Sequence, residues 1–409
     1  MRVPGSKSIT NRALVCAALA GGDSFIRNPS DSTDSAMMVN GLNQMGVLAI
    51  RTEEGLKVQG TGGKLFAPKY PIPVGNAGTT LRFLISVAAR ASGRTVFEGS
   101  ERMAQRPITP LVDALGRLGV RVDANAQLSH FAVHGGEMKG GETTVMGDQS
   151  SQFLSSLLLA APGLDNGLRV EVPGNISSAP YVAMTVRVMQ AFGVEVRGSE
   201  NRFEVPAGSR YQPATYAVEA DASSATYPFA AAALCGGSVT VPGLAVDSMQ
   251  SDAGFLDVLA RMGCRVQWEG SQVTVQRSGP LRGIDVDMNA MPDAVPALVA
   301  VALFGESPTC IRNVANLRFK ESDRLGTLAA ELARLGADVR VTDGGLDIHP
   351  APLHGAQLDP HDDHRLAMVF GLLGLRIPGI LVETPECVSK SYPRFWDELE
   401  HLSTNRPTT

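Results

Sequence analysis

Apolar residues recur at spacings of three and four along five segments of the chain, and a glycine follows each segment. Leu111, Leu115 and Leu118, for example, lead to Gly119. This spacing places the apolar side chains on one helical face, and the glycine provides a left-handed C-cap. A Val-rich, strand-like stretch such as residues 120–122 then follows. The five glycines are Gly46, Gly119, Gly193, Gly263 and Gly336, separated by 73, 74, 70 and 73 residues.

A second kind of helix, apolar nearly all round, is predicted at the start of each of these units. The six such segments are residues 11–20, 79–91, 152–161, 223–234, 294–303 and 365–375, and residues 395–402 form a helical partner for the last. The chain therefore contains six duplicated helix–strand–helix–strand units of about 70 residues. All-round apolar helices indicate burial inside a ring of sheets. An ordinary set of βαβ layers on a parallel sheet is the alternative. Three units per domain place the division near Val218.

The amino-acid composition argues against several classes of protein. The chain has 409 residues, a net charge of −5 and 19% charged residues, with no basic excess for binding nucleic acid through phosphates. No apolar run reaches the ~18 residues of a membrane helix. Five cysteines without CxxC spacing argue against a zinc site or a disulfide framework, and they favour reduced thiols in the cytoplasm.

The first chemical motif is residues 4–12, Pro-Gly-Ser-Lys-Ser-Ile-Thr-Asn-Arg, which places Lys7, Ser8 and Arg12 at the start of a helix. Backbone N–H groups exposed there favour a phosphate or carboxylate. It is not a Walker loop, because the upstream glycine and strand are missing. Basic residues before the apolar stretch 13–20 superficially resemble a secretion signal, but that stretch is near the lower length limit.

Two more polar motifs begin apolar helices. In residues 75–82, Gly78 permits close approach to a ligand, and Arg82 is expected on the first helical turn. Arg106 precedes a proline, so it must be extended. Polar clusters at residues 147–152 and 177–181 suit a polyhydroxylated ligand, and helix N-caps are the alternative.

Acidic and basic residues are mixed near three later helix starts. Lys320 and Arg324 are four residues apart, so we expect them on one helical face with Glu321 beside them. Two positive charges placed this close together repel each other unless a ligand anion neutralises them. Arg365 and Lys390 add cations near other helix starts. A solvated charged face is the alternative.

These motifs, taken together and in order, resemble the 5-enolpyruvylshikimate-3-phosphate synthase family over nearly the whole chain. The matching strings are the Pro-Gly-Ser-Lys-Ser motif, residues 75–82, 102–107, 150–153, 221–224, 320–324 and 363–365. The resemblance implies an α/β (α+β) fold of two similar domains. Each is an inside-out α/β barrel of three βαβαββ repeats with buried helices, and the active site lies in the interdomain cleft. The domains are then residues 6–218, and residues 1–5 with 219–409.

The resemblance also implies an activity. The family transfers the enolpyruvyl group of phosphoenolpyruvate to the 5-hydroxyl of shikimate 3-phosphate and releases phosphate, a step of aromatic amino acid biosynthesis. It implies a cytoplasmic, monomeric transferase that is the target of glyphosate and that needs no cofactor or metal. Its partners would be the two small-molecule substrates, with no nucleic acid and no membrane.

Site residues follow from the resemblance motif by motif. The contacts to shikimate 3-phosphate are Lys7, Ser8, Arg12, Ser150, Ser151, Gln152, Ser178, Asp293, Asn316 and Lys320. The contacts to phosphoenolpyruvate are Lys7, Gly78, Arg106, Gln152, Arg324, Arg365 and Lys390. Asp293 is expected to be the base on the 5-hydroxyl and Glu321 the acid to the methylene carbon, while Lys7 stabilises developing charge. His364 is a candidate for orienting phosphate or relaying a proton.

The chain departs from the family pattern near its start, where the strand that precedes the first motif is shortened or missing. Two rival functions stay open. An enolpyruvyl transferase acting on UDP-N-acetylglucosamine shares the fold and the phosphoenolpyruvate chemistry, but it usually has a loop cysteine, and residues 102–107 contain none. A non-catalytic repeat scaffold would have no reason to retain Asp293, Glu321 and the cations together.

Overall fold

The computed structural model describes residues 1–125 and 130–404, which divide into two compact units. We call Gly5–Val218 the N-unit. The C-unit joins Met1–Pro4 to the described residues from Glu219 onward. Gly5, expected with the C-unit, packs in the N-unit instead, since a Cβ on it would lie only 1.9 Å from the Asn28 carbonyl oxygen.

The N-unit alternates helices and short strands. Its helices are α1 (Lys7–Leu19), α2 (Thr33–Gln44), α3 (Gly78–Ala88), α4 (Glu101–Gln105), α5 (Thr109–Arg117), α6 (Gln152–Ala160) and α7 (Pro180–Ala191). Its strands are β1 (Asp23–Arg27), β2 (Leu48–Thr52), β3 (Gly55–Gln59), β4 (Ile72–Gly75), β5 (Gly93–Gly99), β6 (Arg121–Asn125), β7 (His130–Gly135), β8 (Gly141–Thr144), β9 (Leu168–Glu171), β10 (Arg197–Ser199), β11 (Arg202–Val205) and β12 (Thr215–Ala217).

The described strands of the N-unit form sheets in the orders β12-β1-β3-β2, β4-β5-β7-β6 and β10-β11-β9-β8. Each sheet has one parallel pair and two antiparallel pairs, such as β5 with β7 and β7 with β6. The buried helices α3 and α6 connect two of the parallel pairs, β4 with β5 and β8 with β9. This mixed pairing is the pattern of a βαβαββ repeat, and it excludes the alternative of βαβ layers on a parallel sheet.

The C-unit has the same alternation of helices and short strands. Its helices are α8 (Ala222–Cys235), α9 (Phe255–Arg261), α10 (Val295–Ala302), α11 (Arg324–Ala333), α12 (His364–Gly374) and α13 (Phe395–Thr404). Its strands are β13 (Ser238–Pro242), β14 (Cys264–Glu269), β15 (Gln272–Arg277), β16 (Asp285–Asp287), β17 (Thr309–Arg312), β18 (Asp338–Val341), β19 (Leu346–His349), β20 (Gln357–Leu358) and β21 (Leu381–Val382). They pair in the orders β13-β15-β14, β16-β17-β19-β18 and β20-β21.

In the sheet β13-β15-β14, no described strand pairs in parallel with β13. The N-terminal residues reach this sheet, because the Met1 ammonium donates to the Thr240 carbonyl oxygen at 2.7 Å. The residues before the first motif, where the family strand is expected to be shortened or missing, therefore contact β13 without forming a described ladder.

The predicted buried helices are confirmed. In the N-unit, α1, α3 and α6 contact one another, and in the C-unit α8, α10 and α12 do the same. Every residue of α10 is buried, as are all but the first of α6. Small side chains allow this close approach, and burying several apolar side chains per helix supplies about 1.5–3 kcal/mol each.

The predicted glycine C-caps are also confirmed. The five repeated glycines that follow α2, α5, α7, α9 and α11 all have φ from 79° to 106°, the left-handed region that glycine adopts without strain. Among the described residues, no helix is both long and apolar enough to cross a bilayer.

Candidate active site

Lys7 begins α1 in the N-unit, where Ser6 caps the helix by accepting from the Ile9 N–H. The Lys7 ammonium donates to Asp34 Oδ2 at 2.9 Å, and both side chains are largely buried. Thr80 fixes Asp34 from the other side, since its hydroxyl donates to the Asp34 carbonyl oxygen at 2.9 Å. The position of the Lys7 charge is therefore set by a carboxylate that sequence analysis did not identify.

Arg12 is almost fully buried in the second turn of α1, with 1% of its surface exposed. Its Nε donates to Thr185 Oγ1 at 2.7 Å and its Nη1 to the Ser8 carbonyl oxygen at 2.8 Å. The guanidinium also stacks on the Phe83 ring, 5.2 Å from the centroid. Burial lowers the pKa of Arg12 to about 10, so the group stays charged at neutral pH.

Gly78 and Arg106 lie against each other. Arg106 is extended, as the following proline requires, and its Nη1 donates to the Asn76 carbonyl oxygen at 2.9 Å and to Asn76 Oδ1 at 3.2 Å. A Cβ on Gly78 would stand 2.6 Å from Arg106 Nη2. Gly78 is therefore needed for the guanidinium to lie over the start of α3.

Arg82 positions Gln152. Its Nη1 donates to Gln152 Oε1 at 2.7 Å, while Gln152 Nε2 donates to Thr79 Oγ1 at 3.1 Å. The prediction that Arg82 lies on the first turn is wrong, because α3 begins at Gly78 and places Arg82 on the second turn. Arg82 also stacks on the Phe153 ring at 5.1 Å.

The serines at the starts of α6 and α7 are not side-chain N-caps. Ser151 and Ala179 occupy the N-cap positions without a capping side-chain hydrogen bond. Ser178 has φ of 56°, a conformation that a non-glycine residue adopts at a cost. Such strain concentrates at binding sites, which favours the ligand interpretation for Ser178 over the capping alternative. Ser150 is the partial exception, because its hydroxyl accepts from the Gln152 N–H at 3.3 Å.

Three cations converge on Asp293 in the C-unit, just before α10. Lys320 Nζ lies 3.3 Å, Arg324 Nη1 3.1 Å and Arg365 Nη2 2.9 Å from its carboxylate oxygens. Burial alone would raise the pKa of Asp293, but these cations hold it well below its ordinary value. Asp293 is therefore ionised, and its carboxylate pairs with the three cations in the way that a bound anion would.

The expectation that Lys320 and Arg324 share a helical face is wrong. Lys320 is extended at the end of the 3₁₀ turn Ala315–Phe319, which also holds Asn316. Asp323 caps the next helix by accepting from the Gly326 N–H at 3.2 Å, so α11 begins only at Arg324. The two cations meet at Asp293 through tertiary structure instead.

Glu321 shares Arg324 with two other carboxylates. Arg324 Nη2 donates to Glu321 Oε2 at 2.7 Å, and its Nε donates to the fully buried Asp363 at 2.8 Å. Burial opposes the Arg324 charge, but Asp363, Glu321 and Asp293 raise its pKa above the ordinary value. Lys390, at the end of the 3₁₀ turn Pro385–Lys390, lies 3.9 Å from Glu321.

Asp363 organises the start of α12. It caps the helix by accepting from the Arg365 N–H at 3.0 Å, and Ser322 donates to it at 3.0 Å. His364, the first residue of α12, is buried with Nδ1 3.7 Å from Asp363 Oδ1. Arg365 Nη2 also donates to Ser223 Oγ at 3.0 Å.

The structure thus groups the predicted residues within each unit. The N-unit pairs Gly78 with Arg106, places Arg12 against Ser8, and holds Gln152 through Arg82. The C-unit brings together the acids Asp293 and Glu321 with Lys320, Arg324, Arg365 and Lys390. These side chains are held by four residues for which no role was predicted: Asp34, Thr185, Ser223 and Asp363.

Comparisons with known proteins point to one family. The model of the family described as EPSP synthase (3-phosphoshikimate 1-carboxyvinyltransferase) matches residues 1–399. The chain is 44% identical to the 3-phosphoshikimate 1-carboxyvinyltransferase of Methanoculleus marisnigri, over 97% of this chain and 94% of that protein. It is also 44% identical to that of Syntrophobacter fumaroxidans, over 99% and 97%. The solved EPSP synthase of Acinetobacter baumannii superposes with a TM-score of 0.80 at 26% identity, covering 100% of this chain and 95% of that chain.

Proposed function

The chain belongs to the EPSP synthase family, and from that premise we propose that it transfers the 1-carboxyvinyl group of phosphoenolpyruvate to the 5-hydroxyl of shikimate 3-phosphate. The reaction releases inorganic phosphate and belongs to the shikimate pathway, which leads to chorismate and the aromatic amino acids.

The observation that carries the proposal is the cluster around Asp293. Two carboxylates, Asp293 and Glu321, share the buried cation Arg324, and further cations contact each of them. Phosphoenolpyruvate carries a phosphate and a carboxylate, and fixed guanidinium groups bind such anions through paired hydrogen bonds. An acid, a base and an anion site within one cluster suit addition and elimination on an anionic enol ester.

Both chemical steps can be written with the groups present. In the addition, Glu321 acts in its protonated form and gives its proton to the methylene carbon of phosphoenolpyruvate as the C=C π bond breaks. The 5-oxygen bonds to the adjacent carbon, and Asp293 takes the hydroxyl proton. This produces a tetrahedral ketal phosphate. In the elimination, the Glu321 carboxylate takes a proton back from the new methyl group, the C–O bond to phosphate breaks with its electron pair leaving on phosphate, and the enol ether forms. Fixed cations stabilise the charge that develops on phosphate and carboxylate.

The low pKa of Asp293 makes it a weak base while the three cations are paired with it. An anionic substrate that takes Arg324, Arg365 or Lys320 as partners removes part of their field from Asp293, and its pKa rises. We therefore propose that Asp293 becomes an effective base only when the anion of phosphoenolpyruvate is bound.

The N-unit contributes the remaining proposed contacts. Lys7, Ser8, Arg12, Ser150, Ser151, Gln152 and Ser178 are assigned to shikimate 3-phosphate, together with Asp293, Asn316 and Lys320. Lys7, Gly78, Arg106 and Gln152 are assigned to phosphoenolpyruvate, together with Arg324, Arg365 and Lys390. The hydrogen bonds that fix Arg106 and Gln152, and the strained backbone of Ser178, support preorganised binding.

The rival functions receive less support. Residues 102–107 contain no cysteine, although the UDP-N-acetylglucosamine enolpyruvyl transferase usually has one in the corresponding loop. A non-catalytic scaffold does not account for Asp293 being held ionised beside Glu321 by partly buried cations.

The decisive experiment measures phosphate release from phosphoenolpyruvate with shikimate 3-phosphate, and separately with UDP-N-acetylglucosamine. We expect activity with shikimate 3-phosphate alone, and losses of about 100-fold or more in kcat for Asp293→Asn and for Glu321→Gln. Asp285→Asn, which removes an exposed partner of Arg312, is the matched control and should keep full activity. Activity with the UDP-sugar, or with neither acceptor, contradicts the proposal.

We further propose a cytoplasmic monomer that is inhibited by glyphosate. Five cysteines, none of them in a disulfide, support the location, and Gly78 beside Arg106 supports a pocket that admits the phosphonate. Light scattering of the purified chain tests the oligomeric state, and adding glyphosate to the phosphate-release assay tests the inhibition.

A further inference from the structure

Thr185 supplies the hydroxyl group that contacts the Arg12 side chain inside the N-unit. It lies on α7, is fully buried, and accepts the Arg12 Nε proton at 2.7 Å. No exposed surface remains on Thr185 for a ligand to contact. Any role it has in binding must therefore act through Arg12.

The Thr185 hydroxyl is itself held on two sides. It donates to the Tyr181 carbonyl oxygen at 2.9 Å, one helical turn earlier, and it is hydrogen-bonded to Ser155 Oγ on α6 at 2.8 Å. A hydroxyl has one proton but two acceptor lone pairs. With its proton committed to this network, the oxygen is oriented as an acceptor for the guanidinium.

The remaining contacts of Arg12 fix its position and use one N–H of each terminal nitrogen. Nη1 donates to the Ser8 carbonyl oxygen, Nη2 to the Tyr181 carbonyl oxygen at 3.3 Å, and Phe83 stacks beneath the plane. Nε is thus fully occupied by Thr185, while each terminal nitrogen has a second N–H. Rotation about the guanidinium would break the bond to Thr185 and leave a buried charged donor unpaired, which is costly.

We propose that Thr185 is a positioning residue for the proposed reaction. Its hydroxyl orients the Arg12 guanidinium and so sets the affinity for the phosphorylated polyol substrate. The inference rests on the proposed function only in naming that substrate. The link from Thr185 to Arg12 rests on the hydrogen bonds themselves.

The test separates the hydroxyl from the volume of the side chain. Thr185→Val keeps the volume and removes the acceptor, whereas Thr185→Ser keeps the acceptor and removes a methyl group. We expect Thr185→Val to raise KM for shikimate 3-phosphate about tenfold with little change in kcat, and Thr185→Ser to leave KM nearly unchanged while lowering the unfolding midpoint. Thr143→Val is the matched control, because the buried Thr143 hydroxyl donates only to the Ala114 carbonyl oxygen and no cation depends on it.

A double-mutant cycle identifies the route of the effect. In an Arg12→Lys background, Thr185→Val should cause no further rise in KM, since the Nε donor is gone. An unchanged KM in Thr185→Val, or the same rise with and without Arg12, overturns the proposal. If the rise in KM follows the loss of stability across the Ser and Val variants, the role is structural only and the proposal is likewise wrong.

A spectroscopic measurement tests the contact between Thr185 and Arg12 without relying on activity or on the folding of Thr185→Val. In ¹⁵N NMR spectra of the unsubstituted chain and of Thr185→Ser, the Arg12 Nε–H should give a slowly exchanging signal. A fast-exchanging or absent signal in the unsubstituted chain overturns the link. If the chain shows the protected signal but no phosphate release with shikimate 3-phosphate, the proposed function fails while the link from Thr185 to Arg12 stands.

Discussion

The Gly78 Cα and the Arg106 guanidinium are in such close contact that a methyl group on Gly78 would stand 2.6 to 2.8 Å from three of its atoms. Real Cβ atoms do not approach other atoms this closely, so one of the two residues must move. Because Gly78 is fixed at the start of α3 and Asn76 holds Arg106, a substitution at Gly78 displaces the arginine.

We predict that Gly78→Ala raises KM for phosphoenolpyruvate about tenfold or more, with a smaller effect on KM for shikimate 3-phosphate. Gly116→Ala is the control, because Gly116 lies in α5 with open space where its Cβ would be. Steady-state kinetics with each substrate varied in turn give the answer. Equal KM values for phosphoenolpyruvate in Gly78→Ala and Gly116→Ala would show that Arg106 does not have the proposed role.

Asp34 should control activity through Lys7. In Asp34→Asn the ammonium loses its ionic partner, and a largely buried cation without a fixed position stabilises developing charge less well. We expect kcat to fall about tenfold or more while the circular dichroism spectrum is unchanged. The exposed pair of Lys57 and Asp23 provides the control, and Asp23→Asn should have no effect on kcat.

Asp363 is predicted to stabilise the C-unit more than any exposed acid of that unit. Asp363→Asn removes the partner of Arg324 and Ser322 and weakens the cap of α12. The free energy of unfolding should fall by about 3 kcal/mol. In urea denaturation, Asp338→Asn, which breaks only an exposed pair with Arg340, should change it by less than about 1 kcal/mol. A similar change in both variants would show that the buried ion pairs add no net stability.

Asp293 should contribute stability that depends on pH. Its pKa is lower in the folded chain than in the unfolded chain, so it stabilises the fold at pH above the unfolded value and loses this contribution as pH falls through the folded value. We expect the free energy of unfolding of Asp293→Asn to be about 2 kcal/mol lower than that of the unsubstituted chain at pH 7. The difference should shrink below about pH 4.

Urea denaturation from pH 7 to pH 3 measures this difference, with the exposed Asp257→Asn as the control. Inorganic phosphate should restore part of the stability of Asp293→Asn, because an added anion takes the place of the lost carboxylate. A difference that grows as the pH falls would mean that the cations do not hold Asp293 ionised.

The repeats could be predicted from the sequence because their signals are local. Apolar spacing defines α2 and α5, and the glycine that follows each is left-handed as expected. The shared face of Lys320 and Arg324 was predicted wrongly because the cap formed by Asp323 delays the start of α11. That cap depends on where the chain turns, which spacing alone does not reveal.

The residues that hold the site could not be predicted for a different reason. Asp34 and Lys7 are 27 residues apart in the sequence, and Thr185 and Arg12 are 173 residues apart. Neither belongs to a motif, because an ordinary buried threonine or a helix-start aspartate has the same local sequence. Only the packing of the helices brings the partners together.

The burial of three mutually contacting helices in each unit has a consequence for folding. A solenoid can lose one repeat and keep its neighbours, but here each repeat covers helices that belong to the other two. Removing any one repeat would expose the remaining two helices to water. We therefore expect the backbone amides of α3, α6 and α10 to exchange hydrogen with solvent only when their whole unit unfolds, so that each unit behaves as a single cooperative block.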